Sequence, residues 1–337
     1  MSAPELALDP ATAFRWQDGE RLVVFGRGTI AEAGPLLGSG YALLSTPRAV
    51  AATPELSAAA GSVHEIGPGR VDELAAALRP ALGGELLVAL GGGRVIDVAK
   101  ALAAADPPRR VAALPTTLSG AEMTAIHRHA PGVPLDAPRV RPAIVVNDPA
   151  VSGSQPLAEL AASAANALGH AAEGPLTPLS SPVPALTALA AARLLARALA
   201  NPEQPDRDAL ALGALLAGYV IGSTGYGLHH VISQTLVRFA GLGHGQANAI
   251  MLPHTIAALS RRAPAWVARL GDALGEDPAR FAARLAALAG TTRLVEAGVQ
   301  DSALEGIAEQ AAPRSELHMT PPPADKTELI ELLQAAY

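Results

Sequence analysis

The sequence predicts an α/β domain with a parallel sheet, followed by an all-α domain, and two observations support this fold class. Over the first 150 residues, short apolar runs alternate with stretches of helical periodicity, which is typical of a parallel sheet covered by helices. After residue 150 the strand pattern stops, and Ala/Leu-rich helical stretches broken by Pro and Gly fill the chain. We therefore predict two domains, 1–150 and 151–337.

The strands of the first domain are predicted from apolar runs bounded by turn residues. They are Arg21–Phe25, Tyr41–Ser45, Ser62–Ile66, Glu85–Leu90, Val111–Leu114 and Ala143–Val146. The helices between them are predicted at Arg48–Ala60, Val71–Leu82 and Val95–Ala105. Asn147-Asp148-Pro149 should end the last strand, because Pro cannot continue a sheet ladder.

The helices of the second domain are predicted between Pro and Gly breaks. They are Pro156–Gly174, Ala185–Ala200, Arg207–Ile221, Leu228–Phe239, Ala247–Ser260, Pro264–Leu274, Pro278–Ala289 and Lys326–Ala336. The clearest breaks are predicted at Pro175–Pro184, Asn201–Pro205, Pro253 and Pro321–Pro323. The stretch from Ala209 to Val237 has no charged residue, but its Gly, Ser, Thr, His and Gln content favours buried core helices over a membrane span.

Composition argues against several classes of protein. The formal net charge of −6 argues against a nucleic-acid binder, which would carry a basic patch. The chain has no cysteine, which excludes disulfides and thiolate metal sites. Met1–Arg15 lacks a basic stretch followed by an apolar run, so we expect no signal peptide, no membrane partner and a cytoplasmic location.

A glycine-rich turn follows the strand predicted at Glu85–Leu90. Gly91, Gly92 and Gly93 lie between this strand and a helix that carries Asp97. Three glycines there would let the backbone approach a pyrophosphate, and the helix N-terminus would favour the anion. The spacing differs from G-x-G-x-x-G, and the same residues could form only a tight strand–helix turn. Both interpretations stay open on these residues alone.

A hydroxyl-rich loop follows the next strand. Thr116, Thr117 and Ser119 lie at its carboxyl end, which is where parallel sheets bind ligands. An ordinary polar loop with helix-capping residues is an equal alternative for this stretch in isolation.

Three histidines in Gly-flanked, apolar segments form the second candidate site. His170 follows Asn166 by four residues, so both lie on one face of a helix. His230 and His244 come from later segments. Such a set could bind a divalent metal, or could polarise a carbonyl with imidazoles alone. One histidine of this kind is more often structural, but three together favour a function.

With these motifs in order, the chain resembles the iron-containing alcohol dehydrogenase superfamily, and most of all its maleylacetate reductase branch. Gly91–Lys100 matches the family's G-G-G-S-x-x-D-x-A-K, and Pro115–Thr124 matches P-T-T-Y-A-G-S-E-M-T of the reductase branch without a gap. Leu44–Pro47, Asn147–Pro149 and the ending Pro321–Tyr337 are also similar. The resemblance covers nearly the whole length.

The resemblance implies the dehydroquinate synthase-like fold, a nucleotide-binding first domain, a helical substrate and catalytic domain, and NAD(P)-dependent oxidation or reduction. It also implies a small-molecule or natural-product substrate and a homodimer. The residues expected to bind the cofactor are Gly91, Gly92, Gly93, Asp97, Thr116, Thr117, Ser119, Ser45, Thr46 and Arg48. The choice between NAD and NADP stays open, since no acidic residue follows the second strand and Arg48 could meet a 2′-phosphate.

The first departure from the family concerns a metal. Asn166 stands where metal-dependent members carry Asp, while His170, His230 and His244 match their other three ligands. The change removes the anionic ligand, so four neutral groups would have to hold a dication. The reductase branch also has Asn there and is thought to work without metal. We expect metal-free function, and these four residues as ligands if Fe or Zn does bind.

The second departure is Gln234, which stands where both branches have a catalytic His. Gln cannot exchange a proton near neutral pH, and His229 is the nearest substitute. Candidates to bind a substrate carboxylate are His127, Arg128, His129 and Arg238, whose alternative is an exposed loop and a solvated helix end.

The leading hypothesis is an NAD(P)-dependent oxidoreductase acting on a small carbonyl compound or hydroxy acid, with His170, His230, His244, Asn166, Gln234 and His229 as candidate catalytic residues. One alternative is a natural-product tailoring dehydrogenase that oxidises a β-hydroxy acid, whose β-keto product loses CO2. Another is a non-catalytic nucleotide-binding homologue acting as a scaffold partner, which Gln234 and Asn166 would favour.

Overall fold

The computed structural model describes residues 13–337, and the chain divides into two compact units, Met1–Ser154 and Gln155–Tyr337. The boundary lies close to the predicted residue 150. Most of Met1–Arg15, the segment considered for a signal peptide, lies outside the described residues.

The first unit contains a seven-stranded sheet. Its strands are β1 (Phe14–Asp18), β2 (Arg21–Phe25), β3 (Ala42–Ser45), β4 (Ser62–Glu65), β5 (Leu86–Gly91), β6 (Arg110–Pro115) and β7 (Ile144–Asn147). Their order is β1-β2-β7-β6-β5-β3-β4, and every pair is parallel except β1 with β2. The predicted α/β class with a parallel sheet is confirmed.

The edge strand β1 was not predicted, because its sequence is not an apolar run. Its residues alternate between partly buried and exposed, and the polar ones face solvent, as is common at a sheet edge. By contrast, β5 is buried on both faces. Leu87 and Ala89 pack in one apolar cluster, whereas Val88 and Leu90 pack in another.

Six helices accompany this sheet: α1 (Gly34–Leu37), α2 (Pro47–Ala52), α3 (Pro54–Ala59), α4 (Val71–Leu78), α5 (Gly93–Ala105) and α6 (Pro149–Ser152). The single helix predicted at Arg48–Ala60 is wrong, since it is broken at Thr53 into α2 and α3. The cause is Pro54, which disfavours helical geometry at the residue before it and begins a new helix.

The second unit is helical, and Gln155–Tyr337 contains no strand. Its helices are α7 (Leu157–Glu173), α8 (Pro182–Ala198), α9 (Arg207–Thr224), α10 (Leu228–Phe239), α11 (His244–Arg262), α12 (Pro264–Leu274), α13 (Pro278–Leu288), α14 (Leu304–Ala311) and α15 (Lys326–Ala335). The break predicted at Pro253 is wrong, because Pro253 lies inside α11. It removes one backbone hydrogen bond, but buried neighbours such as Leu252 and Ile256 keep the helix packed on both sides of it.

The uncharged stretch from Ala209 to Val237 forms most of α9 and α10, and most of its apolar side chains are buried. Within residues 13–337, no single helix has the length and apolar composition to cross a membrane. The helices α9 and α10 meet that criterion only as a pair, and the pair is bent by 100°.

Candidate active site

The carboxyl ends of β3, β5 and β6 lie side by side in the first unit, and they bring the predicted cofactor segments together. The sheet register pairs Ser45 with Leu90, and Gly91 with Pro115. The Ser45 hydroxyl donates to the Leu90 carbonyl at 2.8 Å, and the Thr116 N–H donates to the Gly91 carbonyl at 3.0 Å. The glycine turn therefore lies between the Ser-Thr and Thr-Thr loops.

The glycines allow close contact between this turn and the threonine loop. A Cβ on Gly92 would lie 3.0 Å from Thr117 Cγ2, and one on Gly93 would lie 3.1 Å from Ser119 Oγ. Gly92 is the N-cap of α5, and no side chain of the described residues caps this helix end. Its first N–H groups therefore remain available to an anion such as a phosphate.

The other predicted cofactor residues surround this turn or lie one helical turn away. Thr46 caps α2 by accepting the Ala49 N–H at 3.4 Å, and Arg48 is exposed. Asp97 lies on the first turns of α5, where its Oδ1 is 2.7 Å from Lys100 Nζ. This contact gives Asp97 a structural partner inside the protein.

Lys100 was not singled out from the sequence, yet it fixes the threonine loop. Its side chain is fully buried, and Nζ donates to the Ala121 carbonyl at 3.0 Å and to the Ile126 carbonyl at 2.8 Å. A lysine within the apolar run Val98–Ala105 is the signal that could have indicated this role. Glu122 is buried in the same loop, and burial raises its pKa to about 7, against the opposing effects of its own backbone N–H, Lys100 and Arg21.

Replacing Glu122 with Gln is expected to stabilise the protein at pH 8 but not near pH 4. The folded-state pKa of Glu122 is raised from 4.5 to about 7, so its contribution to stability is present below the unfolded value and is lost as pH rises through about 7. The variant should gain about 2–3 kcal/mol at pH 8, at about 1.4 kcal/mol per pKa unit. Urea unfolding at both pH values measures this, with exposed Glu85→Gln as the control. A less stable variant at pH 8 would show that Lys100 and Arg21 favour the charged carboxylate.

The loop after Thr124 holds three of the candidates for carboxylate binding. His127 is buried, its Nε2 accepts the Val140 N–H at 3.1 Å, and its Nδ1 lies 3.1 Å from the Arg128 carbonyl. The Arg128 guanidinium lies 3.9 Å from Asp72, and His129 packs edge-on against His127. These contacts favour structural roles for His127 and Arg128. Arg238, the fourth candidate, is exposed near the end of α10.

In the second unit, three helices bring the predicted histidines to one point. Asn166 and His170 lie on α7, His230 lies on α10, and His244 begins α11. The rings of His170 and His230 stack with centroids 4.8 Å apart. Asn166 Oδ1 lies 3.4 Å from His230 Nε2 and 3.2 Å from His244 Nε2. His244 is exposed, whereas the other three residues are buried.

Glu173 supports this cluster from behind, a role that the sequence alone did not suggest. It ends α7 and is fully buried. Its Oε1 lies 2.5 Å from His230 Nδ1, and its Oε2 accepts the His229 N–H at 2.9 Å. A carboxyl group at Nδ1 fixes the orientation of the His230 ring and directs Nε2 towards Asn166 and His244. An acid three residues after His170 in an Ala/Leu-rich helix was the available signal.

His229 does not occupy the position of a substitute acid–base group. It is fully buried, and its Nδ1 lies 2.9 Å from Thr255 Oγ1. Its ring packs edge-on against His230 at 4.9 Å and fills the space where a Cβ on Gly169 would lie. His229 therefore packs against His230 and supports its position.

The buried imidazoles are neutral at physiological pH. Burial lowers the pKa of His170, His229 and His230, and the neighbouring imidazoles lower it further. Burial also raises the pKa of Glu173, although His229 and the backbone N–H groups of Gly227, His229 and His230 oppose this. His170 Nδ1 is buried without a hydrogen-bond partner in residues 13–337.

Gln234 lies one helical turn after His230 on α10. Its Oε1 accepts a hydrogen bond from the Arg314 guanidinium at 3.0 Å. The family's proton-exchanging imidazole is thus replaced by an amide that holds an arginine.

The donor set supplies no anionic ligand to a dication. Asn166, His170, His230 and His244 supply neutral donors only, and the nearby carboxylate of Glu173 points to His230 Nδ1 instead of to the space in front of the cluster. Within residues 13–337, no group of three or more His, Cys, Asp or Glu is arranged to hold a metal.

Comparison with known proteins identifies the family. The family profile described as Fe-containing alcohol dehydrogenase family, C-terminal, matches residues 160–337. The chain belongs to the iron-containing alcohol dehydrogenase family. A maleylacetate reductase from Rhizobium sp. (strain MTP-10005) is 32% identical over 340 residues, covering 94% of this chain and 95% of that protein.

Solved structures of family members share the fold. The crystal structure of maleylacetate reductase from Agrobacterium tumefaciens matches with a TM-score of 0.80 and 29% identity, covering 96% of this chain and 97% of that chain. A putative alcohol dehydrogenase from Ralstonia eutropha JMP134 matches with a TM-score of 0.82 and 30% identity, over 96% and 97% of the two chains. The predicted superfamily, branch and fold are confirmed, and the chain is an NAD(P)-dependent oxidoreductase.

Proposed function

We propose that this oxidoreductase transfers hydride between a nicotinamide cofactor and a small oxo acid or hydroxy acid. The observation that carries the proposal is the His230 imidazole, which is buried, neutral and held by Glu173 at 2.5 Å with its Nε2 facing Asn166. Such a fixed nitrogen is suited to accept a hydrogen bond from the hydroxyl group of a substrate. The similarity to maleylacetate reductases over most of the chain favours an oxo acid as substrate.

The dinucleotide would bind to the glycine turn of the first unit. The uncapped N-terminus of α5 would receive the pyrophosphate, and Thr117 and Ser119 would line the adjacent loop. Thr46 and Arg48 follow β3, where the adenine ribose is expected, so Arg48 would decide whether a 2′-phosphate is accepted. The nicotinamide supplies or takes up the hydride. A homodimer stays a prediction.

The residues of the second unit would handle the proton. In the direction of oxidation, His230 Nε2 would accept the hydroxyl proton of the substrate while its Nδ1–H remains bonded to Glu173. Asn166 lies within reach of both His230 Nε2 and His244 Nε2, so its amide would orient these imidazoles, and the proton taken up by His230 would leave to solvent when the product is released. In reduction the same route would run inwards to the developing alkoxide.

Calorimetry with NADH and NADPH, followed by turnover assays on short oxo acids, tests this function. We expect binding of one or both cofactors and oxidation of the reduced form only when a carbonyl substrate is present. Absence of binding to both the oxidised and the reduced forms of NAD and NADP would overturn the proposal. Release of CO2 from a β-hydroxy acid in the oxidative direction would instead support the tailoring dehydrogenase, and binding without turnover would support the scaffold protein.

Replacing Asn166 with Asp is expected to raise zinc or iron occupancy about tenfold or more, because the support of His230 by Glu173 is already in place. The new carboxylate would supply the charge that the four neutral donors lack. Elemental analysis of protein purified without chelators measures the effect. Asn248→Asp is the matched control, since Asn248 is a buried amide that donates to the His244 carbonyl from α11. One tightly bound metal per wild-type chain would contradict metal-free function.

A further inference from the structure

A buried cation flanks His230 and has no role in the chemistry described above. Arg314 lies after α14, and its side chain is 11% exposed. It donates to the Val231 carbonyl at 3.4 Å, at the residue after His230. Tyr226 lies between the two groups, with its ring centroid 6.0 Å from the His230 ring and 5.9 Å from the guanidinium carbon of Arg314. A permanent positive charge is therefore present beside the imidazole cluster.

The guanidinium is oriented by neutral groups. The Gln234 amide oxygen accepts from it at 3.0 Å, and the Tyr226 hydroxyl lies 3.1 Å from the same nitrogen. Gln234 is also the second of the two departures from the family pattern that the sequence indicates. The departure and the arginine form one feature, because an amide oxygen accepts from a guanidinium at any pH, whereas an imidazole would titrate.

In this structure, Glu316 is the carboxylate that the Arg314 guanidinium binds. Arg314 donates to its Oε1 at 2.7 Å, and the Tyr226 hydroxyl donates to the same oxygen at 2.9 Å. Burial alone would raise the pKa of Glu316, but the Arg314 hydrogen bond and charge lower it to about 2, so the carboxylate is ionised. Two donors thus converge on one carboxylate oxygen.

The contact of Glu316 is weaker in geometry than that of a structural ion pair in the same unit. Arg262 binds Glu328 through both oxygens, at 2.7 and 2.5 Å, in the bidentate arrangement that makes such pairs strong. Arg314 reaches only one oxygen of Glu316 by a hydrogen bond, and the Glu316 side chain is 34% exposed. Glu316 also belongs to a short 3₁₀ helix, Ser315–Met319. Its partly exposed side chain, held at one oxygen, can be displaced by rotation about its own bonds.

We propose that Arg314, with Tyr226, binds the carboxylate of the substrate, and that Glu316 fills this position until a substrate acid displaces it. The carbonyl of a short oxo acid held in this way would lie beside His230. The proposal rests on the oxidoreductase function proposed above and specifies its substrate as an acid. It also gives Gln234 a role, which is to orient the guanidinium.

Three variants and one control test the proposal. Arg314→Met removes the cation, Glu316→Gln removes the internal carboxylate, and the double variant removes both charges without leaving Glu316 buried and unpaired. The control is Arg262→Met, which breaks an ion pair of similar burial away from His230. Succinic semialdehyde and butyraldehyde serve as substrates, because they have the same chain length and only the first carries a carboxylate.

We expect Arg314→Met and the double variant to raise the KM for succinic semialdehyde about 30-fold, as is reasonable for the loss of a charge-assisted hydrogen bond, and to leave the KM for butyraldehyde within about 3-fold. Glu316→Gln should lower the KM for the semialdehyde, because the competing carboxylate is gone. A purely structural pair would affect both aldehydes alike and would lose activity in Glu316→Gln. Parallel changes for the two aldehydes, or no change in Arg314→Met, would overturn the proposal.

Calorimetric titration with succinate separates this proposal from the proposed function. Wild type and Arg262→Met should bind succinate, whereas Arg314→Met should not. If the protein binds no nicotinamide cofactor but still binds succinate through Arg314, the proposed function fails and the carboxylate site stands. If the cofactor binds and wild type binds no succinate, the carboxylate site is wrong.

Discussion

Replacing His230 with Ala is expected to lower kcat about 100-fold, equivalent to about 3 kcal/mol of transition-state stabilisation. The reason is the loss of the imidazole nitrogen that Glu173 directs towards Asn166 and His244. Gln234→Ala should cost less, about tenfold, because an amide can only hydrogen-bond. Gln234→His restores the family residue, and its activity on oxo acids shows whether an imidazole there is productive. The measurement is kcat and KM for each variant with NADH or NADPH.

The main complication is that His230→Ala leaves the buried Glu173 without its side-chain partner. Glu173→Gln therefore accompanies it, since the amide keeps the shape but changes the proton on His230 Nδ1. His254→Ala is the control, because His254 is a partly buried histidine on α11 outside the cluster. Near-full activity in a folded His230→Ala protein would show that the chemistry lies elsewhere.

Gly92→Val is expected to weaken binding of the nicotinamide dinucleotide at least about 100-fold while the protein remains folded. A side chain at the N-cap of α5 would occupy the space through which the backbone N–H groups reach a pyrophosphate. The backbone angles of Gly92 are φ −76° and ψ −175°, which other residues also adopt. Calorimetric titration with NADH and NADPH measures the change.

Because the turn at Gly92 is crowded, side chains of increasing size should be compared at this position. A Cβ at Gly92 already lies 3.0 Å from Thr117 Cγ2, so Gly92→Ala should shift the threonine loop slightly and reduce affinity less than Val does. Gly83→Val is the control, since a Cβ there meets nothing within 4 Å. Unchanged affinity in Gly92→Val would remove the phosphate site from this turn and leave the oxidoreductase assignment intact.

The order of elements could be predicted because it depends on local periodicity. The strands β2 to β7 and the long helices α7 to α13 lie where apolar runs and helical spacing placed them, within a few residues. The misses were β1, α1, α6 and α14, and the breaks at Thr53 and Pro253. The break at Thr53 has a local cause in Pro54. The edge strand β1 and the unbroken α11 instead depend on which surface the segment packs against, a property that spacing within a short window does not contain.

The candidate sites also combine local sequence patterns with contacts between residues far apart in the chain. The glycine turn and the pair Asn166 and His170 are local patterns, and the sequence by itself determined them. Only the tertiary structure decided that Glu173 would hold His230, 57 residues away, and that Arg314 would hold Gln234, 80 residues away. The physical reason is that a buried charge must find a partner wherever packing provides one. Partners so far apart in the chain are set by how the helices pack, and not by any motif that the chain displays.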